Sequence, residues 1–189
     1  MKPTIRTFVA IDVPAGVRES IGGFQAGLKR HDADVKWVRP ESIHITLKFL
    51  GDVAGGRIGE MANALRGAVE GASPFRVSVE GTGVFPGGQK PRVLWIGVKE
   101  GAEALSVLAS HVDAALSGLG FDREKRKYSA HLTIGRVRSP KGIQPVVEAM
   151  QSAAFEAGVI EAEEIVLMKS DLQPMGAVYT ALERIKLRG

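Results

Sequence analysis

Cysteine is absent from all 189 positions. Disulfides, thiolate nucleophiles and cysteine-ligated zinc are therefore excluded, and the absence fits a reducing cytoplasm, which is the expected location. Long apolar runs are also missing, and no stretch approaches the length of a membrane span. Near the N-terminus, Phe8-Val9-Ala10-Ile11 is too short for a signal core and is interrupted by Asp12, so no leader is expected. No nucleophile elbow is present, which argues against a Ser-His-Asp hydrolase. A strong excess of charge of one sign is lacking as well: the net charge is +4, with a pI near 9.5. Such a balance leans mildly toward anionic partners such as RNA and is far from that of a nucleic-acid-coating protein. With 44% hydrophobic and 24% charged residues, the composition is that of an ordinary globular protein long enough to bury a core.

Histidine and threonine are scarce too, at four and six residues. Two of the four histidines nevertheless sit in one repeated pattern, His44-Ile45-Thr46-Leu47 and His131-Leu132-Thr133-Ile134. Side chains alternate faces along a strand. Each His and Thr then share one face while the two apolar residues anchor the other in a core. His31, in a charged turn, and His111, in a helical pattern, lack that context and are expected to be structural or surface residues.

Periodicity places a strand over 5–12, a helix over 15–30 (Val17, Ile21, Phe24 and Leu28 at helical spacing), a short strand over 35–38 and the first motif strand over about 43–50, ended by Gly51 and Asp52. A helix follows over 57–70, then strands over 75–79 and 93–98, with the glycine-rich stretch 81–91 read as a wide hairpin connection. A helix over 102–118, a basic segment with Arg123, Lys125, Arg126 and Lys127, and the second motif strand over about 129–137 come next. The remainder is a helix over 141–155, capped at Ser139 with Pro140 in its first turn, and two strands over 160–169 and 177–187, joined around 173–176. Trp37 and Trp95 are expected to pack in the core. Helices fall between groups of strands rather than after each one, which points to an α+β fold with antiparallel or mixed sheets. No composition break marks a linker, so residues 1–189 are expected to form one domain, hinting at two related lobes that face each other across a cleft with one motif each.

Two histidines from opposite lobes make an acid/base pair, since an unperturbed pKa near 6.5 lets one ring be neutral and the other protonated. Phosphodiester chemistry needs that combination: one ring takes a proton from the attacking water and the other gives one to the departing alkoxide. The threonine hydroxyls can donate to non-bridging phosphate oxygens. Arg136 adds a permanent charge, but its odd spacing from His131 puts it on the opposite strand face unless a bulge or the strand's end intervenes. Metal hydrolysis is the competing reading; neither motif contains a carboxylate, and no metal or other cofactor is expected.

The longer strings Ser42-Ile43-His44-Ile45-Thr46-Leu47-Lys48-Phe49-Leu50-Gly51 and Ala130-His131-Leu132-Thr133-Ile134-Gly135-Arg136 resemble the RNA 2′,3′-cyclic phosphodiesterase (2′-5′ RNA ligase) branch of the two-histidine phosphoesterases. So do Arg6 to Asp12, Trp37-Val38 and Pro91 to Val98. The resemblance implies a bilobal α+β fold, with sheets lining a central cleft and helices packed outside. It implies metal-free opening of an RNA 2′,3′-cyclic phosphate to a 2′-phosphomonoester, with His44 as proton donor to the 3′ oxygen and His131 as acceptor from water. Thr46 and Thr133 would hold the phosphate, Arg136 would assist, and Phe49 would meet a base or pack in the core. Ala130 stands where many relatives have proline. The alternatives are a 2′-5′ RNA ligase or RNA-end binding module and a small-nucleotide phosphodiesterase using the same site. A monomer suffices for each.

Overall fold

In the computed structural model, which describes residues 4–87, 90–174 and 176–189, the chain runs β1 (Thr4–Ile11), α1 (Ala15–Lys29), β2 (Val35–Trp37), β3 (Ile45–Ala54), α2 (Ile58–Ala68), β4 (Phe75–Phe85), β5 (Val93–Val98), α3 (Ala102–Ser117), β6 (His131–Val137), α4 (Ile143–Ser152), β7 (Glu156–Ala162), β8 (Glu164–Gln173) and β9 (Gly176–Lys186). The strands form two sheets, ordered β3-β1-β8-β9 and β2-β6-β5-β4-β7, and the paired strands are antiparallel throughout. Helices α2 and α3 pack with the first sheet, α1 and α4 with the second. The α+β expectation and the placement of one motif in each sheet both hold. No helix among the described residues is long and apolar enough to cross a membrane.

The apolar stripes of the helices close the core. Val17, Ile21 and Leu28 of α1, Met61 and Leu65 of α2, Leu105, Leu108, Val112 and Leu116 of α3, and Val146, Val147 and Met150 of α4 are all buried. They meet the inner faces of both sheets in one continuous cluster. A second, small cluster of Phe8, Ala10, Val166 and Met168, with Tyr179 against it, lies on the other face of the first sheet. That sheet is therefore apolar on both sides at its centre, and the run Ile165 to Met168 of β8 is buried without alternation.

Four sequence expectations need correction. The stretch 160–169 is not one strand: the chain leaves the edge of the second sheet at Ala162 and enters the first at Glu164. No glycine or proline marks that crossing, and Glu163 stays bonded through its carbonyl to Leu187 N at 2.8 Å. Strand β4 continues to Phe85 through residues expected to form a loop. Gly83 is needed there because the Trp95 indole lies over it; an added Cβ would fall 2.1 Å from the ring. Strand β3 runs past Gly51 and Asp52 to Ala54, because β1 offers partners as far as Thr4. Helix α4 starts after Gly142, whose φ of 68° is left-handed, and has no side-chain cap; Ser139 and Pro140 lie outside it. Gly88, Gln89 and Met175, within the expected connections 81–91 and 173–176, lie outside the described residues.

Candidate active site

Both motif strands carry the same irregularity. In β3, Ala10 pairs with Thr46 and Val9 with Lys48, so Leu47 has no partner. In β6, Trp95 pairs with Thr133 and Leu94 with Gly135, so Ile134 has none. Each is a β-bulge, which inserts one residue and reverses the alternation beyond it. Leu47 and Lys48 therefore both turn inward, as do Ile134 and Gly135, and all four are buried. Phe49 and Arg136 return to the outer face beside the His and Thr of their own strand, and both are exposed. The bulge resolves the spacing problem at Arg136. It also makes Phe49 its counterpart in the other sheet: 66% exposed, it stands across from Phe8 with ring centroids 6.0 Å apart and is not a core residue.

A bulge leaves backbone groups to be satisfied. The carbonyl of Ile134 accepts from Val38 N at 2.9 Å and from Gln25 Nε2 at 2.8 Å. The same amide donates to Val38 O at 2.8 Å. Gln25 belongs to α1 and is fully buried. Gly135, on the inner side of the bulge, has no room for a side chain: a Cβ would come within 2.8 Å of Val35 Cγ1.

The two imidazoles are held by one device. His44 Nδ1 bonds the carbonyl of Ser42 at 2.9 Å, and His131 Nδ1 bonds that of Ser129 at 2.7 Å. A carbonyl only accepts, so Nδ1 carries the hydrogen in both rings. Nε2 is then left for chemistry, as a base when neutral and an acid when protonated. The sequence shows the matching serines, two residues before each histidine, yet it is their backbone oxygen that acts.

The surroundings are unequal. His44 packs against Phe8, at 4.6 Å between centroids, and edge-on against Tyr179 at 5.0 Å. His131 meets Phe85 edge-on at 5.2 Å. Burial lowers the His44 pKa to about 4; the Ser42 carbonyl and Asp12 oppose that, while the charges of Arg18 and His131 add to it. The Tyr179 phenol is pushed up by burial and drawn back by Arg136 and Arg6. His131 lies near enough for its charge to bear on His44, and Arg136 near enough to bear on Tyr179. A cavity of about 190 Å³ opens beside His44, with Asp12, Arg18, Ser42, Tyr179 and Arg184 on its walls. A larger hollow of about 580 Å³ lies over residues 122–126 and touches neither histidine.

That second hollow belongs to the basic segment, which is tied to β3. Lys48 Nζ, turned inward by the bulge, bonds Asp113 Oδ1 at 2.5 Å and the carbonyl of Asp122 at 2.7 Å. Tyr128 Oη donates to the carbonyl of Thr46 at 2.9 Å. The segment leading into the second motif is thereby anchored on the strand of the first. Sequence reasoning missed Gln25, Lys48, Tyr128 and Tyr179. Only Gln25 carried a signal, a polar residue on the apolar stripe of a helix. Trp37 packs on the core as expected; Trp95 does not, since it pairs directly with Thr133 and shares its outer face. His31 and His111 are exposed and outside the site. Among the described residues, no group of three or more His, Asp or Glu is arranged to hold a metal ion.

The sequence pattern described as LigT like phosphoesterase fits this chain twice, over residues 11–95 and 96–179. The chain belongs to that family. Each match to the LigT-like phosphoesterase pattern contains one bulged His-x-Thr strand, so the pseudo-repeat extends from the motif to the whole half-chain. The chain is 39% identical to an RNA 2′,3′-cyclic phosphodiesterase of Methanothermobacter thermautotrophicus, over 97% of this chain and 99% of that protein. It is 40% identical to one of Archaeoglobus fulgidus, over 94% and 98%. Among solved structures, TT0787 of Thermus thermophilus superposes with a TM-score of 0.81 at 27% identity, covering 98% of this chain and 99% of that one.

Proposed function

We propose that this LigT-like phosphoesterase hydrolyses RNA 2′,3′-cyclic phosphate ends to 2′-phosphomonoesters, and that residues 1–189 act as one bilobal unit. The observation that carries the reading is the pair of imidazoles held through Nδ1 at the start of two strands that bulge at matching positions. Each directs Nε2 toward a face that also bears a threonine. The names of the relatives supply the substrate class.

In the proposed reaction, neutral His131 takes a proton from water at Nε2, and the water oxygen bonds to phosphorus. The bond from phosphorus to the 3′ oxygen breaks, and His44 delivers its Nε2 proton to that oxygen. Thr46, Thr133 and Arg136 neutralise the non-bridging oxygens as charge builds on them, and Phe49 offers an exposed ring to a base. His44 with a pKa of about 4 is neutral in the free protein at neutral pH. A bound phosphate anion raises the pKa of an adjacent imidazole, so the donor role requires His44 to take up a proton together with the substrate.

The test is to incubate the protein, in excess chelator, with an oligonucleotide ending in a 2′,3′-cyclic phosphate. A 2′-phosphate end is expected. His44→Ala and His131→Ala should each lower the rate by about 10²–10⁴-fold. Replacing the 3′ bridging oxygen by sulfur, whose thiolate leaves without a proton, should restore His44→Ala and leave His131→Ala slow. Full activity in the double variant would overturn the reading, and rescue of His131→Ala instead would exchange the two roles.

A further inference from the structure

In the pairing of β2 with β6, Lys36 stands directly opposite Arg136. Opposed residues of an antiparallel pair share a face, with Cβ atoms about 4.5–5.5 Å apart. The neighbours of Lys36 confirm which face this is. Val35 and Trp37 are the side chains that an added Cβ at Gly135 would strike, at 2.8 and 3.3 Å, so they fill the core side. Lys36 therefore points to the side of Arg136, Thr133 and His131. Like charges directly opposite one another destabilise a sheet, and a carboxylate nearby would relieve the repulsion. Among the described residues, neither Lys36 nor Arg136 has a carboxylate within 4.0 Å, although ten such ion pairs form elsewhere. Both side chains are exposed. The two positive charges thus face solvent with no carboxylate of the described residues against them.

The reacting phosphate meets only part of that charge. His131, Thr133 and Arg136 follow one another on one face of β6, so at about 3.3 Å per residue the Arg136 backbone lies roughly 13 Å or more from that of His131. A guanidinium can reach back toward a phosphate held by the histidines. Lys36 stands one strand farther out and meets whatever lies beyond. On an RNA strand, the next anion beyond a terminal cyclic phosphate is the phosphodiester on the 5′ side of the last nucleotide.

We propose that Lys36, beside Arg136 and one strand beyond it, forms a second anion subsite for that upstream phosphodiester, so that the preferred substrate is an RNA end of at least two nucleotides rather than a cyclic mononucleotide. The proposal rests on the cyclic phosphodiesterase reading above and adds to it the length of the substrate.

The experiment compares a nucleoside 2′,3′-cyclic phosphate with a dinucleotide ending in the same group, on the wild type, Lys36→Gln and Lys36→Arg. For the wild type, KM should be roughly tenfold lower for the dinucleotide, from one added lysine–phosphate contact. Lys36→Gln should abolish most of that difference and leave kcat on both substrates and KM for the mononucleotide within about twofold of the wild type. Its plot of log KM against log salt for the dinucleotide should be shallower by about 0.7, the slope of one single-strand phosphate contact. Lys36→Arg should behave as the wild type. Equal losses on both substrates, or no loss on either, would overturn the subsite. Failure of the wild type on every cyclic substrate would instead strike the phosphodiesterase reading. The subsite is then still decided by calorimetry with mono- and dinucleotide 2′-phosphates: weaker binding of the dinucleotide alone to Lys36→Gln supports it, and unchanged binding of both overturns it.

Discussion

His44 is the residue at which burial and function pull in opposite directions. Packing against Phe8 and Tyr179 costs the protonated ring its hydration and lowers its pKa from 6.5 to about 4. The free protein therefore holds this ring neutral, whereas an unfolded chain would protonate it over much of the range between those values. More protons on the unfolded state means that stability rises with pH. The contribution of His44 is fully present above about pH 6.5 and is lost progressively as the pH falls toward 4. The ring is half-buried rather than sealed, so about 3 kcal/mol is the ceiling on the loss. His44→Gln, which keeps a polar side chain but does not titrate, should flatten the pH dependence of chemical denaturation between pH 7 and pH 4 by a sizeable part of that amount. An unchanged slope would show that His44 is not held neutral. His44 and its partner threonine were legible from the repeated motif. The proton affinity of the ring was not, because it depends on Tyr179 and Phe8, brought in by β9 and β1.

The element that places the site is the bulged strand, and the bulge is where the sequence pattern misleads. Strict alternation puts Arg136 opposite His131 and Phe49 opposite His44, and one unpaired residue in each strand brings both back. Gln25 holds the β6 bulge from behind through the carbonyls of Ile134 and Val38. The apolar pattern of α1 reads as Val17, Ile21, Phe24 and Leu28. The helix instead buries Gln25 on that stripe and leaves Phe24 half-buried, stacked on Phe155 at 4.2 Å between centroids. A glutamine among apolar helix neighbours is a legible anomaly, but its partners lie more than a hundred residues away in the case of Ile134. Gln25→Leu should destabilise the fold by about 1–3 kcal/mol, since the Val38 carbonyl loses its side-chain donor in a buried setting. Among the molecules that stay folded it should raise KM for the cyclic substrate by letting Arg136 drift. A double-mutant cycle separates these effects. If Gln25 acts on catalysis through Arg136, Gln25→Leu raises KM in the wild type and has little effect on KM in an Arg136→Ala background. Equal increases in both backgrounds would confine Gln25 to a structural role.

At the scale of the molecule, the two lobes are not two halves of the chain. The first sheet takes β1 and β3 from the beginning and β8 and β9 from the end, while the second takes the strands between them, with β2 at its edge. Such long-range pairing leaves no local signal, so the α+β class and one motif per lobe were readable while the strand order was not. Interleaving alone does not fix where the second motif lies relative to the first. The segment from Leu119 to Ala130, which has no regular structure and enters β6 directly at His131, adds a direct tie between the two motif strands. Lys48 and Asp113 pin it from below. Burial would raise the Asp113 pKa, but the hydrogen bonds from Lys48 and Glu124 N, and the charges of Lys48 and Arg123, more than offset this and hold it low. Asp113 is therefore ionised when folded, and Lys48 is its buried counter-ion. Removing one partner of a buried pair leaves an uncompensated charge, whereas replacing both with apolar residues can be nearly neutral. Lys48→Met should then cost about 3–5 kcal/mol in denaturant unfolding, reduced to the extent that Arg123, 3.8 Å from Asp113, takes over. Lys48→Met combined with Asp113→Leu should recover most of the loss. The double variant still lacks the bond from Lys48 to the Asp122 carbonyl and the acceptor for Glu124 N, so hydrogen exchange at Glu124 should be fast even as global stability returns. If kcat recovers together with stability, the pair serves the core alone; if only stability recovers, and kcat remains low, the pair also positions the strand that carries His131.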